Sequence, residues 1–284
     1  MTKMSRAFVL LVLAAGSGCG ESRQLTSPVT PSSNAPSVPL QSLSGYVSDT
    51  AFRAVADARV DVVDGPQSGM SFVSDAVGQF SYVGTFTTPV TLRATKDGYI
   101  ALTKTTQTSA PGGRPWVSFQ LEVVAPPVNI AGNYTLTFIA DSSCTSIPSE
   151  LRTRNYPATI APVSNPLARP DTSLTLTAGG AFLETFDSFP IGVAGDYVAL
   201  SVYNGEDFGL VERIGPGTYL GFYGESRTSI ETSPVSTISA AFDGAFDYCV
   251  LEPDVSGFGA CTSSRAVAHQ QCQSKNHRLI LTRR

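Results

Sequence analysis

From about residue 42 onward the chain alternates apolar and polar residues in short runs, and Gly, Pro, Asn, Asp and Ser break the runs. Ala58, Val60 and Val62 form one such set; Val90, Leu92 and Ala94 form another, and Val117, Phe119 and Leu121 a third. Tyr134, Leu136, Phe138 and Ala140 repeat the pattern, as do Ile238, Ala240 and Phe242. A period of two puts alternate side chains on opposite faces of a strand, whereas a helix buries a stripe with period 3.6. The chain is therefore all-β and antiparallel, with turns at intervals of roughly eight to twelve residues. At 284 residues it is long for one such unit, and two domains are expected. Charged residues make up only 15%, below the roughly 25% of an average globular protein.

The N-terminus reads as an address. Lys3 and Arg6 precede a short apolar run over 7–15, then Gly16, Ser17, Gly18 and Cys19. The run is too short to span a bilayer but has the length and flanks of a secretory signal. The cysteine after small residues resembles a bacterial lipoprotein lipobox, with Gly16 where Leu is usual. That resemblance implies a signal over 1–19 and a lipidated Cys19, anchoring the protein at the outer membrane or cell surface. Cleavage at another bond, releasing a periplasmic or secreted protein, is the alternative. Residues 20–41 carry Pro28, Pro31, Pro36 and Pro39 among Ser, Thr and Asn, a composition that cannot bury a core and makes a solvated tether.

The first domain spans 42–124. Gly45-x-Val47-x-Asp49, the alternating valines, Asp75-x-x-Gly78-x-Phe80 and Val90-x-Leu92-x-Ala94-x-Lys96-x-Gly98-Tyr99 follow in order. This series resembles the carboxypeptidase regulatory-like domain, a transthyretin-like sandwich. The resemblance implies seven strands and an accessory, non-catalytic module of exported proteins. Related sandwiches bind glycans, so a carbohydrate ligand enters as an expectation. Residues 125–129, with Pro126-Pro127, form a stiff linker.

The second domain, 130–284, shows candidate strands near 130–140, 156–160, 173–177, 197–203, 208–214, 218–223, 237–250 and 278–282, with an Asn204-Gly205 hairpin turn. This number of strands with one apolar face suits an antiparallel barrel; a second sandwich is the alternative. The opening Gly132-x-Tyr134 and Arg278 loosely resemble lipocalin-type barrels, which implies a carrier of a small apolar ligand as a second function. Apart from Cys19, the cysteines are Cys144, Cys249, Cys261 and Cys272, an even set suited to disulfides outside the cytosol. In an up-and-down barrel the first and last strands are neighbours, so the end of one meets the start of the other. Cys144 with Cys272 is then the expected pair of the three possible pairings, leaving Cys249 with Cys261.

Reactive chemistry is hard to find. GxSxG, HExxH, CxxC and calcium-loop motifs are lacking, and both histidines, His269 and His277, fall near the C-terminus in polar sequence that reads as solvated loop. Asp243 and Asp247 share one strand face, but four residues of strand separate them by about 13 Å. Glycosidase carboxylates stand roughly 5–9.5 Å apart, so the pair reads as the wet face of a wall. No metal site or cofactor is expected. Net charge is −4, and −6 without Lys3 and Arg6, so nucleic acid is not an expected partner. Trp116 is the one candidate binding residue: it opposes the Val117/Phe119/Leu121 face and follows a Pro-Gly-Gly-Arg-Pro loop. The expectation is a non-catalytic envelope lipoprotein that binds a glycan or another envelope protein, or that scaffolds.

Overall fold

The computed structural model describes residues 41–284 except 66, 85–88, 107–115, 163–172, 181–187, 204–208 and 232–233. The signal, Cys19 and nearly all of the tether lie outside the described residues, as do the 111–115 loop and the Asn204-Gly205 turn.

The first seven strands are β1 (Gln41–Asp49), β2 (Arg59–Val62), β3 (Ser71–Val73), β4 (Gln79–Gly84), β5 (Val90–Thr95), β6 (Leu102–Thr106) and β7 (Trp116–Leu121). They form two sheets, ordered β4-β1-β7 and β3-β2-β5-β6. Leu43, Val47, Phe80, Val117, Phe119 and Leu121 of the first sheet pack against Val60, Val62, Val90, Leu92 and Ala94 of the second. These are the period-two positions, all turned inward. β1 is antiparallel to β4 but parallel to β7, a pairing that local alternation cannot encode. Gly78, at φ 79°, closes the turn before β4; a Cβ there would lie 2.5 Å from the Val47 carbonyl oxygen.

The remaining strands are β8 (Gly132–Ile139), β9 (Thr153–Pro162), β10 (Ser173–Ala178), β11 (Ser188–Ala194), β12 (Tyr197–Val202), β13 (Leu210–Gly215), β14 (Thr218–Ser229), β15 (Thr237–Leu251) and β16 (Ala266–Arg283). Eight of them close an antiparallel barrel, with β16 beside β8 and β12 completing the circuit against β14. The second-sandwich alternative is excluded by that closure. β13 pairs with the first part of β14, below the β12 contact.

Aromatic side chains pack together inside the barrel. Phe138 stacks on Phe222 at 4.7 Å between centroids, Phe222 meets Phe246 edge-on at 4.8 Å, and Phe242 meets Phe138 at 5.3 Å. Burying each such ring contributes about 1.5–3 kcal/mol. An exposed ion pair contributes roughly 0–1 kcal/mol, so this interior dominates the domain's stability. The cavity among Ile191, Leu200, Ile238, Leu279 and Leu281 holds about 10 Å³, room for about one water. Outward positions of β8 and β9 are polar, among them Asn133, Thr135, Thr137, Asn155 and Thr159.

Three sequence readings are corrected. β11 was not anticipated, because its burial pattern eBeBBBB hides the alternation; Gly195-Asp196, the two-residue turn into β12, was the available signal. β16 starts twelve residues earlier than the apolar run that marks its end, since the polar stretch 266–277 is drawn into strand by its ladder with β15. His269 and His277 therefore lie in strand rather than loop, and His277 is fully buried. Asp247 is buried too, covered by His269 (Nε2 to Oδ1, 2.8 Å) and Gln271, so only Asp243 remains on a wet face.

The structure pairs Cys144 with Cys272 and Cys249 with Cys261. The first joins the segment after β8 to β16; the second pins the 3-10 turn Phe258–Thr262 over Tyr219 and Val211 on the outside of the wall. The sandwich touches the barrel through the turn after β1. The Thr50 hydroxyl donates to the Val193 carbonyl at 2.5 Å, and Ala51 packs on Ala194 and Ala199. Gly192 permits this approach, since a Cβ there would lie 2.3 Å from the Thr50 carbonyl oxygen.

Candidate functional site

The outer face of the β4-β1-β7 sheet carries the arrangement best suited to binding. Alternation turns Leu43 and Val47 inward and leaves Ser44, Tyr46 and Ser48 outward on β1. Register places Ser81 of β4, Ser44 and Trp116 of β7 side by side in one row, and Gln79, Tyr46 and Ser118 in the next. Trp116 is 59% exposed, an unusual position for the only tryptophan of the chain. Its Nε1–H donates to Ser118 Oγ at 3.1 Å, so the polar edge of the indole is held toward the cross-strand neighbour of Tyr46.

Beside Trp116 lies a cleft of about 180 Å³ lined by Ser44, Asp75, Gln79, Ser81 and the indole. Asp75 is set at its rim by the turn into β4, where Oδ1 accepts the Val77 and Gln79 N–H groups at 3.0 and 2.8 Å. Lys104 of β6 reaches across to the Ser118 carbonyl at 2.7 Å. The face thus combines one exposed aromatic surface with hydroxyl, amide and carboxylate groups on a rigid sheet. Such a surface can stack and hydrogen-bond. Both histidines of the chain lie away from this face, in β16.

The sequence-predicted residues do not converge. Trp116 is on the sandwich face, the two disulfides are in the barrel, and Cys19 lies outside the described residues. Arg278 does not meet Tyr134; Arg283 does, with its guanidinium 5.3 Å from the ring centroid and an N–H donated to the phenol oxygen at 3.0 Å. Among the described residues no group of three His, Cys, Asp or Glu side chains could hold a metal. No helix among them is long and apolar enough to cross a membrane.

Two polar constellations were not legible in the sequence. Glu212 of β13 faces the barrel interior, where it accepts the Tyr156 hydroxyl at 2.8 Å and pairs with Arg154. Burial and the adjacent carboxylate push the Tyr156 phenol far above its ordinary value, and the hydrogen bond that Arg154 donates to Glu212 raises the guanidinium above its own. The group closes the seam between β13 and β9, as a structural latch. The second is Asp49, fully buried, which accepts the Ala51 and Arg53 N–H groups and Arg53 Nε at 2.8, 3.0 and 2.6 Å. Arg53 in turn lies 4.3 Å over the Tyr197 ring of β12, fastening sandwich to barrel. Charged residues alone do not advertise such contacts.

Comparison with protein-family models and with curated proteins gives no match.

Proposed function

We propose that this protein is a non-catalytic lipoprotein of the cell envelope whose sandwich binds carbohydrate through the outer face of the β4-β1-β7 sheet. One observation carries the reading: Trp116 stands 59% exposed beside a polar cleft, in register with Ser44 and Ser81 and next to the Tyr46 row. An indole presents a flat apolar surface to the C–H face of a sugar ring, while serine, glutamine and aspartate side chains receive its hydroxyls. The lipobox-like segment ending at Cys19 supports a lipid anchor in the outer membrane or at the cell surface, with the 20–41 tether holding the domains away from it. The two disulfides are compatible with that oxidising address. Another envelope protein docking on the same face is the alternative partner.

Affinity electrophoresis through gels containing starch, xylan, β-glucan or peptidoglycan fragments tests the ligand class. Retardation by at least one of these, lost in Trp116→Ala, is expected. Equal mobility of wild type and variant in every gel sinks the carbohydrate reading. Intact mass of the mature protein tests the anchor: a product beginning at Cys19 and carrying acyl mass is expected, and an unmodified N-terminus removes it.

A further inference from the structure

Phe52, in the turn that docks sandwich on barrel, has φ 61°. For a bulky residue this left-handed conformation costs on the order of 1–3 kcal/mol and persists only where its surroundings enforce it. Here they do. The Phe52 N–H donates to the Asp49 carbonyl at 3.0 Å, and the Asp49 carboxylate holds the amides on either side. Burial does not repay the strain, because the side chain remains 41% exposed.

That ring forms one wall of a cleft of about 290 Å³ between the sandwich turn and the outer wall of the barrel. The floor is Pro190 of β11 with Ala199 and Ser201 of β12, and the far side is Glu225 and Arg227 of β14. Register explains the layout: Ser201 pairs with Glu225 and Ala199 with Arg227, so all four project from the same face. Small floor residues between a ring and a charged pair create the depth. Arg227 donates to Glu225 at 2.6 Å, and both side chains are about half exposed. Among the described residues no other hydrogen bond engages either group, and none engages the Ser201 hydroxyl.

We propose that this cleft is a second ligand site, which takes a single hydroxylated ring of the pyranoside class. The apolar face of the ring lies against Phe52 and Pro190. Adjacent hydroxyls bridge the Glu225 carboxylate as acceptor and the Arg227 guanidinium as donor, with Ser201 below. Because Glu225 already neutralises Arg227, the site favours a neutral sugar over a strongly anionic one. The volume sits at the lower edge of the roughly 300–1,000 Å³ of small-molecule sites, which suits one ring rather than a polymer stretch. The site owes nothing to Trp116 and stands or falls independently of that face.

The test uses the Trp116→Ala protein, which removes the first face. Backbone amide spectra are followed during titration with the methyl glycosides of glucose, galactose, mannose and N-acetylglucosamine. At least one is expected to shift the amides of Ala199, Ser201 and Arg227 saturably, with millimolar affinity. Phe52→Gly is expected to weaken that binding about tenfold or more, a loss of about 1.4 kcal/mol or more. Glycine accepts the positive φ, so the same variant keeps its folded spectrum and melting temperature. Glu225→Gln, which preserves shape, is expected to weaken binding several-fold. No saturable shift with any of the four glycosides overturns the proposal, as does binding that is unchanged in both Phe52→Gly and Glu225→Gln. Binding confined to protein with Trp116 intact also overturns it, while leaving the sandwich face as the carbohydrate site.

Discussion

His277 Nδ1 accepts a hydrogen bond from the Asp141 backbone N–H at 2.9 Å, joining β16 to the segment that follows β8 across 136 residues of sequence. The acceptor role fixes the tautomer, leaving Nε2–H to donate to the Cys272 carbonyl at 3.2 Å. The ring is fully buried, 4.7 Å from the Phe246 centroid, and shares this corner with the Cys144–Cys272 disulfide. It is a neutral structural imidazole at the point where the barrel ends are tied.

A pH dependence follows from that burial. Desolvation holds His277 below the ordinary histidine value, more than the nearby Cys272 carbonyl and Asp141 raise it. The unfolded chain therefore takes up a proton near pH 6.5 that the folded protein resists, and stability is lost as pH falls below that point. The slope approaches at most about 1.4 kcal/mol per pH unit. Urea midpoints between pH 7.5 and 5 are expected to fall, and His277→Gln is expected to flatten this segment while lowering the whole curve. Below about pH 4 a further loss is expected from Asp141, whose carboxylate is held low by the Ser143 amide and the Ser274 hydroxyl.

The two disulfides should differ in worth. Cys144–Cys272 closes a separation of 128 residues and Cys249–Cys261 one of 12. The chain-entropy relation gives about 5 kcal/mol for the long loop and about 3 kcal/mol for the short one. Paired Cys→Ser variants measured by urea denaturation should show that order. An equal or inverted order would mean that the unfolded chain retains structure between β8 and β16.

Asp49→Ala should cost about 3 kcal/mol or more, because it strips the partner from Arg53 and leaves two amides of the docking turn without an acceptor. Arg53→Lys should cost less, yet it loses the planar stack on Tyr197. Limited proteolysis of the 50–56 turn is the sharper readout. Faster cleavage there in Asp49→Ala, with the barrel unaffected, is the expected pattern.

Trp116→Ala should leave stability within about 0.5 kcal/mol, since the indole is mostly exposed and its one hydrogen bond is to a surface serine. Thermal unfolding of the two proteins checks this. A drop of several degrees would assign Trp116 to packing and weaken its claim as a ligand platform.

Much of the architecture was present in local pattern. Alternation in β1, β2, β5, β7, β8 and β15 marked the strands and the faces they bury, because the side-chain period of a strand is a property of the backbone itself. The order of strands in a barrel was enough to suggest which cysteines meet. The exposed side of Trp116 followed from its neighbours Val117 and Phe119 by the same rule. What the chain could not announce was anything set by its neighbours in space. The polar first half of β16 becomes strand because β15 offers it a ladder; that ladder buries Asp247 beneath His269 and Gln271, and it places His277 against Phe242 and Phe246. The left-handed Phe52 is held within its own turn by Asp49, but the Arg53 stack on Tyr197 and the junction cleft exist only once the sandwich rests on β11 and β12. Periodicity specifies which face of a strand avoids water; closure of the barrel and docking of the second unit decide which polar groups must then find one another.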